Sequence, residues 1–228
     1  MNTTSIRDLL ERQVAEFTNA PAFAALEAGT GDDEAFIENV ARTHLKSPQL
    51  VAFLYALAPP LAAPDLLDNL LEELGLEAAS ERAHPALLED LLTAAGLGHR
   101  LPAIRAQAED DLRRLVTEPL LYGTLRDVGL AALTEIVAFE FMLSRVAGRI
   151  ASALATHASL PAPALEWFTH HSEVDVRHAE QGLANLATYI RYYGIAEEEA
   201  LTIVEMTLRE NVFARRYFPA SNSVEASR

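Results

Sequence analysis

Apolar positions recur along the chain at helical spacing, and no stretch alternates apolar and polar residues long enough to demand a sheet. Breakers cut this pattern around Asn19 to Pro21, Gly29 to Asp33, Ser47-Pro48, Pro59-Pro60, Gly96 to Gly98, Leu101-Pro102, Pro161 to Pro163 and Gly194. About eight helices are predicted, most of them amphipathic, with the last core pieces near 123–157, 164–193 and 196–217. No interruption is long enough to link domains. The expectation is therefore one all-α domain over residues 1–228, a compact multi-helix bundle with a frayed tail at about 220–228.

Composition narrows the function. Half of the 228 residues are hydrophobic, enough for a substantial core. The formal net charge of −15 repels nucleic-acid backbones and anionic membrane surfaces, so neither is expected as a partner. With no cysteine, the chain has no disulfide, thiolate metal site or Cys nucleophile. The opening MNTTSIRDLLERQVAEF carries acids and no apolar run of signal-peptide type. The longest uncharged apolar run, Leu50 to Pro64, is too short and too Pro-broken to span a bilayer. A cytoplasmic protein is expected.

The informative segment is HHSEVDVRHAEQG, which places His171, Asp175 and His178 at i, i+4 and i+7. At 100° per residue these three share a stripe about 60° wide and about 10 Å long. One such residue alone reads as core or as surface charge. Three in line are different, because burying a carboxylate and two imidazoles without a counter-charge is expensive and a metal is the usual compensation. The set suits borderline divalent ions such as iron or manganese. His170 points about 100° away and is read as supporting or structural.

A pair of ions needs ligands from other helices. Glu140, in LTEIVAFEFMLSRVAG, is an isolated acid on a helix whose other faces read as core, so it is paired, protonated or ligating. Glu135 lies about 140° around from it and is expected to face solvent. The segment NLLEELGLEAASERAHPALLEDLL offers Glu73 before a Gly-closed helix end and His84 before Pro85. Glu72, Glu77, Glu81 and Glu89 offer the same chemistry nearby, and spacing does not choose among them.

Glu73 in EELG, His84 in HPALLEDLL, Glu140 in AFEFML, and His171, Asp175 and His178 in FTHHSEVDVRHAE together resemble the signature of the haem-oxygenase-like non-haem diiron oxidases and oxygenases, over about residues 45–190. The resemblance selects Glu73 and implies a haem-oxygenase-like bundle related to thiaminase II and pyrroloquinoline quinone synthase. It implies two iron ions, Fe(II) or Fe(III), with manganese as the alternative, held by those six residues, and dioxygen as co-substrate. Members oxidise, oxygenate or cleave varied small molecules. Thiaminase II chemistry is disfavoured, since its nucleophile is a Cys. So is the consumption of an internal tyrosine with help from a lysine, because the only Lys here, Lys46, is far from the Glu140 helix in sequence; Tyr55, Tyr122 and Tyr189 remain open for it.

The expected activity is dioxygen-dependent oxidation of a small organic substrate. The alternatives are a cofactorless oxidase resembling pyrroloquinoline quinone synthase and a non-catalytic acidic interaction protein. A homodimer and an external electron donor are open as partners. On the helical wheel Ile136, Val137, Leu143, Ser144 and Ala147 share the Glu140 face, and Trp167, Phe168 and Val174 share the His171 face. Arg145 and Arg149 fall on the far side of their helix from Glu140, so the wheel offers no polar anchor for substrate.

Overall fold

The computed structural model describes residues 4–77, 82–121, 123–210 and 213–218, with the side chains of 173–176, 210, 213 and 214 outside that description. The proposed frayed tail at 220–228 and Tyr122 lie outside the described residues, as do the Asp175 and Val174 side chains. Among the described residues the fold is all-α and of the haem-oxygenase-like class. Its helices are α1 (Thr4–Thr18), α2 (Pro21–Glu27), α3 (Asp33–His44), α4 (Ser47–Ala56), α5 (Ala63–Glu73), α6 (His84–Ala94), α7 (Leu101–Leu112), α8 (Leu125–His157), α9 (Glu166–Tyr192), α10 (Glu197–Glu210) and α11 (Phe213–Tyr217).

These are eleven helices rather than about eight. The run after Pro59-Pro60 divides at Gly75, the run after Pro102 divides between α7 and α8, and the last piece becomes α10 and α11. Local chemistry sets the boundaries. Asp32 caps α3 by accepting from the Ala35 N–H at 3.0 Å, and Thr124 caps α8 by accepting from the Asp127 N–H at 3.2 Å. Pro48, Pro64, Pro85 and Pro102 stand in first turns, where a missing N–H costs nothing.

α8 is the axis of the bundle. It packs along α9 as the most extensive helix pair and also touches α1, α2, α4 and α10. Its burial is nearly circumferential, including Leu130, Leu133, Phe141, Met142, Val146 and Ile150. At about 1.5–3 kcal/mol for each large apolar side chain, this sheath is the main favourable contribution that α8 makes to folding. It also explains why Glu135, expected at the surface, is only 2% exposed. A position 140° from Glu140 reaches not solvent but α11, where Arg216 pairs with the Glu135 carboxylate at 2.5 Å. Among the described residues no helix is long and apolar enough to cross a membrane.

Candidate metal centre

Three local devices bring the chemistry together. α5 ends at Glu73, and Gly75 adopts a left-handed φ of 65° while its N–H bonds Glu72 O at 2.8 Å and the Leu76 N–H bonds Leu71 O at 2.8 Å. This closure reverses the chain immediately after the two acids. His84 opens α6 on the returning segment, and its Nδ1 stands 3.2 Å from Glu73 Oε2. Across from them, α8 and α9 approach closely at Gly182, where any Cβ would lie 2.7 Å from Val137 Cγ2 and 3.4 Å from Glu140 Oε2.

Donor atoms of Glu73, His84 and His171 lie within 4.8 Å of one another, and all three residues are buried. Glu140 and His178 face the same cavity as this triad. Five of the six ligands expected from sequence are thus gathered at one place. The sixth, Asp175, belongs to α9 one turn before His178, with its side chain outside the described residues. Glu72 is the residue that sequence reasoning did not select. It is 4% exposed, and its two oxygens meet His170 Nε2 at 2.9 Å and His178 Nε2 at 3.2 Å. His170 therefore supports the site through Glu72, whereas Glu77 is exposed and Glu89 pairs with Arg105 near the surface.

Charge is distributed unevenly. Burial pushes the Glu140 carboxyl up to about 7, and Glu73 and Glu72 push the same way, against the pull of His178 and a 2.6 Å hydrogen bond donated by the Asn69 amide. Burial would also raise Glu72, but its hydrogen bonds to His170 and His178 and their charge hold it well below the usual carboxylate range. Burial, reinforced by the neighbouring His84, lowers His171 and keeps its ring neutral. Its Nδ1 N–H donates to Trp167 O at 2.7 Å. That bond fixes the tautomer and leaves Nε2 with a lone pair, the form in which an imidazole ligates a metal. Neutral imidazoles and carboxylates without thiolates suit iron or manganese, so the residues fit the ions.

These side chains line a cavity of about 810 Å³, within the usual range for small-molecule sites. A family model described as iron-containing redox enzyme matches residues 34–209. The chain belongs to that family. As an iron-containing redox enzyme it is an oxidoreductase, and its buried His and Glu groups supply candidate positions for the iron. Comparison with curated proteins gives no match.

Of the neighbours that the wheel placed on the metal faces, Ile136 and Leu143 line the cavity and the Trp167 ring packs against His171. Ile136, Val137, Leu143, Ala147, Trp167 and Phe168 are all buried, and Ser144 turns its hydroxyl back to Phe141 O at 2.9 Å. Arg149 pairs with Glu27 at 2.8 Å, and Arg145 lies over the Phe141 ring, both away from the cavity. Lys46, expected to be remote from the Glu140 helix, instead lines the same cavity and pairs with Glu109, because α3 folds back against α7 and the cavity runs between that wall and α8. Tyr55 is 40% exposed, and Tyr189 is buried with its hydroxyl donating to Arg126 O at 3.2 Å.

Proposed function

We propose that this iron-containing redox enzyme is a diiron oxidase or oxygenase that uses dioxygen to oxidise, oxygenate or cleave a small organic substrate. The observation that carries the reading is the joint placement of Glu73, His84 and His171 with Glu140 and His178 on the lining of one cavity. The first three would hold one ion. Glu140, His178 and Asp175 would hold the second, with Glu140 able to serve both.

Two irons, when bound, would supply the redox electrons for dioxygen, which no side chain here can provide. The chain's own groups do the rest. Trp167 O orients the His171 ring, Asn69 orients Glu140, and His170 holds Glu72 beside His178. Ile136, Phe139 and Leu143 supply an apolar wall that would exclude water from a bound substrate. Carboxylates that lose or gain a proton cheaply, as Glu140 does, can balance charge as the oxidation state changes.

The test is an oxygen-electrode measurement on protein reconstituted anaerobically with Fe(II). His171→Ala and Asp175→Ala should abolish oxygen uptake while circular dichroism remains that of the parent. Loss of helicity together with uptake would make these residues structural and sink the reading.

A further inference from the structure

Trp167, the sole tryptophan of the chain, is buried with its ring centroid 4.2 Å from that of His171. It also meets the ring of His44, the last residue of α3, at 4.8 Å. The His44 ring in turn stands against Tyr217 of α11, with Nε2 2.5 Å from the phenolic oxygen. His171, Trp167, His44 and Tyr217 thus form one continuous line of touching rings drawn from α9, α3 and α11. Electron transfer falls steeply with distance, so a line of rings in contact is a conducting path.

A phenol gives up an electron readily only when a base takes its proton, because the radical cation left by electron loss is a very strong acid. At 2.5 Å the Tyr217 proton has only to move along the hydrogen bond to His44. Burial keeps the His44 ring neutral, which leaves a lone pair to receive it. The other described tyrosines are not so equipped. Tyr189 and Tyr193 donate to the carbonyl oxygens of Arg126 and Leu57, which are not bases, and Tyr55 and Tyr192 are exposed. Trp167 differs in the opposite sense. Its indole N–H is buried and meets no acceptor among the described residues, so an oxidised Trp167 has nowhere to leave a proton and passes the charge on. Phe139 also touches His44, but a benzene ring is far harder to oxidise than an indole. Tyr217 is fully buried, with Phe17 and Phe36 packed edge-on at 5.8 and 5.7 Å, so a radical held there is shielded from solvent.

We propose that Tyr217 is a one-electron donor to the His171 end of the site, with Trp167 as the stepping stone and His44 as the base that holds the phenolic proton. An oxidant at His171, which is iron oxidised by dioxygen, takes one electron from Trp167, and Trp167 regains it from Tyr217. The O–H bond of Tyr217 breaks as an N–H bond forms on His44 Nε2. The site is reduced by one electron, and Tyr217 is left as a neutral phenoxyl radical. An electron from an external reductant, with the proton returned by His44, restores the phenol, so the tyrosine is not consumed. The proposal rests on the dioxygen-using reading of the site for its oxidant alone.

The relay is tested first in the full chain without added metal, which separates it from the iron experiments. Laser photoionisation of Trp167, excited beyond the tyrosine absorption edge, creates the tryptophanyl radical directly, and its decay should be matched by a rise of tyrosyl absorption. Tyr217→Phe keeps the ring and its packing and should remove that rise. His44→Gln leaves the phenol in place and should slow the rise by about a hundredfold, the lower size of a general-base contribution. In the iron-loaded chain, frozen after mixing with dioxygen, electron paramagnetic resonance should show a tyrosyl signal that Tyr217→Phe removes. Decay of the tryptophanyl radical without a tyrosyl rise, a rise that survives Tyr217→Phe, an equal rate in His44→Gln, or oxygen uptake without the tyrosyl signal would overturn the proposal. The expected flash result in a chain that consumes no oxygen would support the relay and sink the diiron reading alone.

Discussion

Oε2 of Glu73 and Nδ1 of His84 stand 3.2 Å apart, joining the last residue of α5 to the first of α6. With His171 they form a compact group of donors, and Glu140 and His178 line the same cavity. The proposed pair of ions predicts two binding events. Anaerobic Fe(II) titration of the parent should saturate near two equivalents per chain, since six side chains are too many for one ion. Glu73→Ala or His84→Ala should bring saturation to about one. A variant that still takes two equivalents, or a parent that takes one, would refute the pair.

Gly182 sits where α9 leans on α8 beside Glu140. A methyl group there would overlap Val137 and crowd the Glu140 carboxylate, so Gly182→Ala is an overpacking change despite the better helix propensity of Ala. The expected loss is about 1–3 kcal/mol in urea denaturation, together with weaker binding of the second ion. An unchanged midpoint would mean that the two helices separate without cost.

How much of this was legible beforehand differs from residue to residue. His171 and His178 were legible because helical periodicity alone puts them on one face, and Glu140 because an acid surrounded by Val137, Phe139, Phe141 and Met142 has few ordinary explanations. Glu72 was not. It and Glu73 are adjacent in sequence and about 100° apart on a helix, and only the closure at Gly75, which wraps α6 and α9 around the end of α5, buries both. Glu135 was misplaced for a related reason. A wheel ranks the faces of one helix against each other, but α8 is enclosed on all sides, and the ion pair that makes Glu135 tolerable comes from α11, 81 positions away in sequence. The cations that line the cavity were invisible because they are distributed over α3, the α3–α4 junction, the π-helical turn Arg113–Thr117 and α11.

His44 offers a pH test that does not involve a proposed ligand. Burial, with the nearby charges of Arg216 and His84, holds its imidazole at about 3, far below the ordinary value of 6.5, and its Nε2 meets the Tyr217 hydroxyl. A group whose folded pKa is depressed contributes stability that is fully present above the unfolded value and is lost as pH falls toward the folded value. His44 therefore costs the fold nothing at pH 7.5 and about 2 kcal/mol by pH 5. Glu140, whose folded pKa is raised, works in the opposite direction over the same range, so the parent's own slope is a mixture. The difference between parent and His44→Gln isolates the effect. The variant should be less stable at pH 7.5 through loss of packing against Trp167 and Phe139, yet lose about 2 kcal/mol less on going to pH 5. Parallel pH profiles would show that His44 is not held neutral.

The last expectation concerns what the acids do to the fold when no ion offsets them. Glu72, Glu73 and Glu140 are gathered in a buried space with Asp175 on the adjoining helix, and Glu140 already resists ionisation there. Like charges in a poorly polarisable interior repel, so a divalent ion that binds only the folded chain should relieve the repulsion and stabilise the fold in proportion to RT ln(1 + [L]/Kd). At about 100 times Kd the gain is roughly 2.7 kcal/mol, and for a chain of this length that corresponds to a rise of the order of 5–10 °C in Tm. The gain should be concentrated in α9, which supplies His171, Asp175 and His178 and begins directly after the Pro161 to Pro163 break and the short 3₁₀ turn Ala162–Leu165. Hydrogen exchange of residues 164–185, measured with and without Fe(II) under argon, should show slower exchange in the metal-loaded chain. α1 and α2 contribute no ligand and should be unchanged. If protection of α9 and the melting temperature are the same in both states, the acids do not hold a metal, and the diiron reading fails with them.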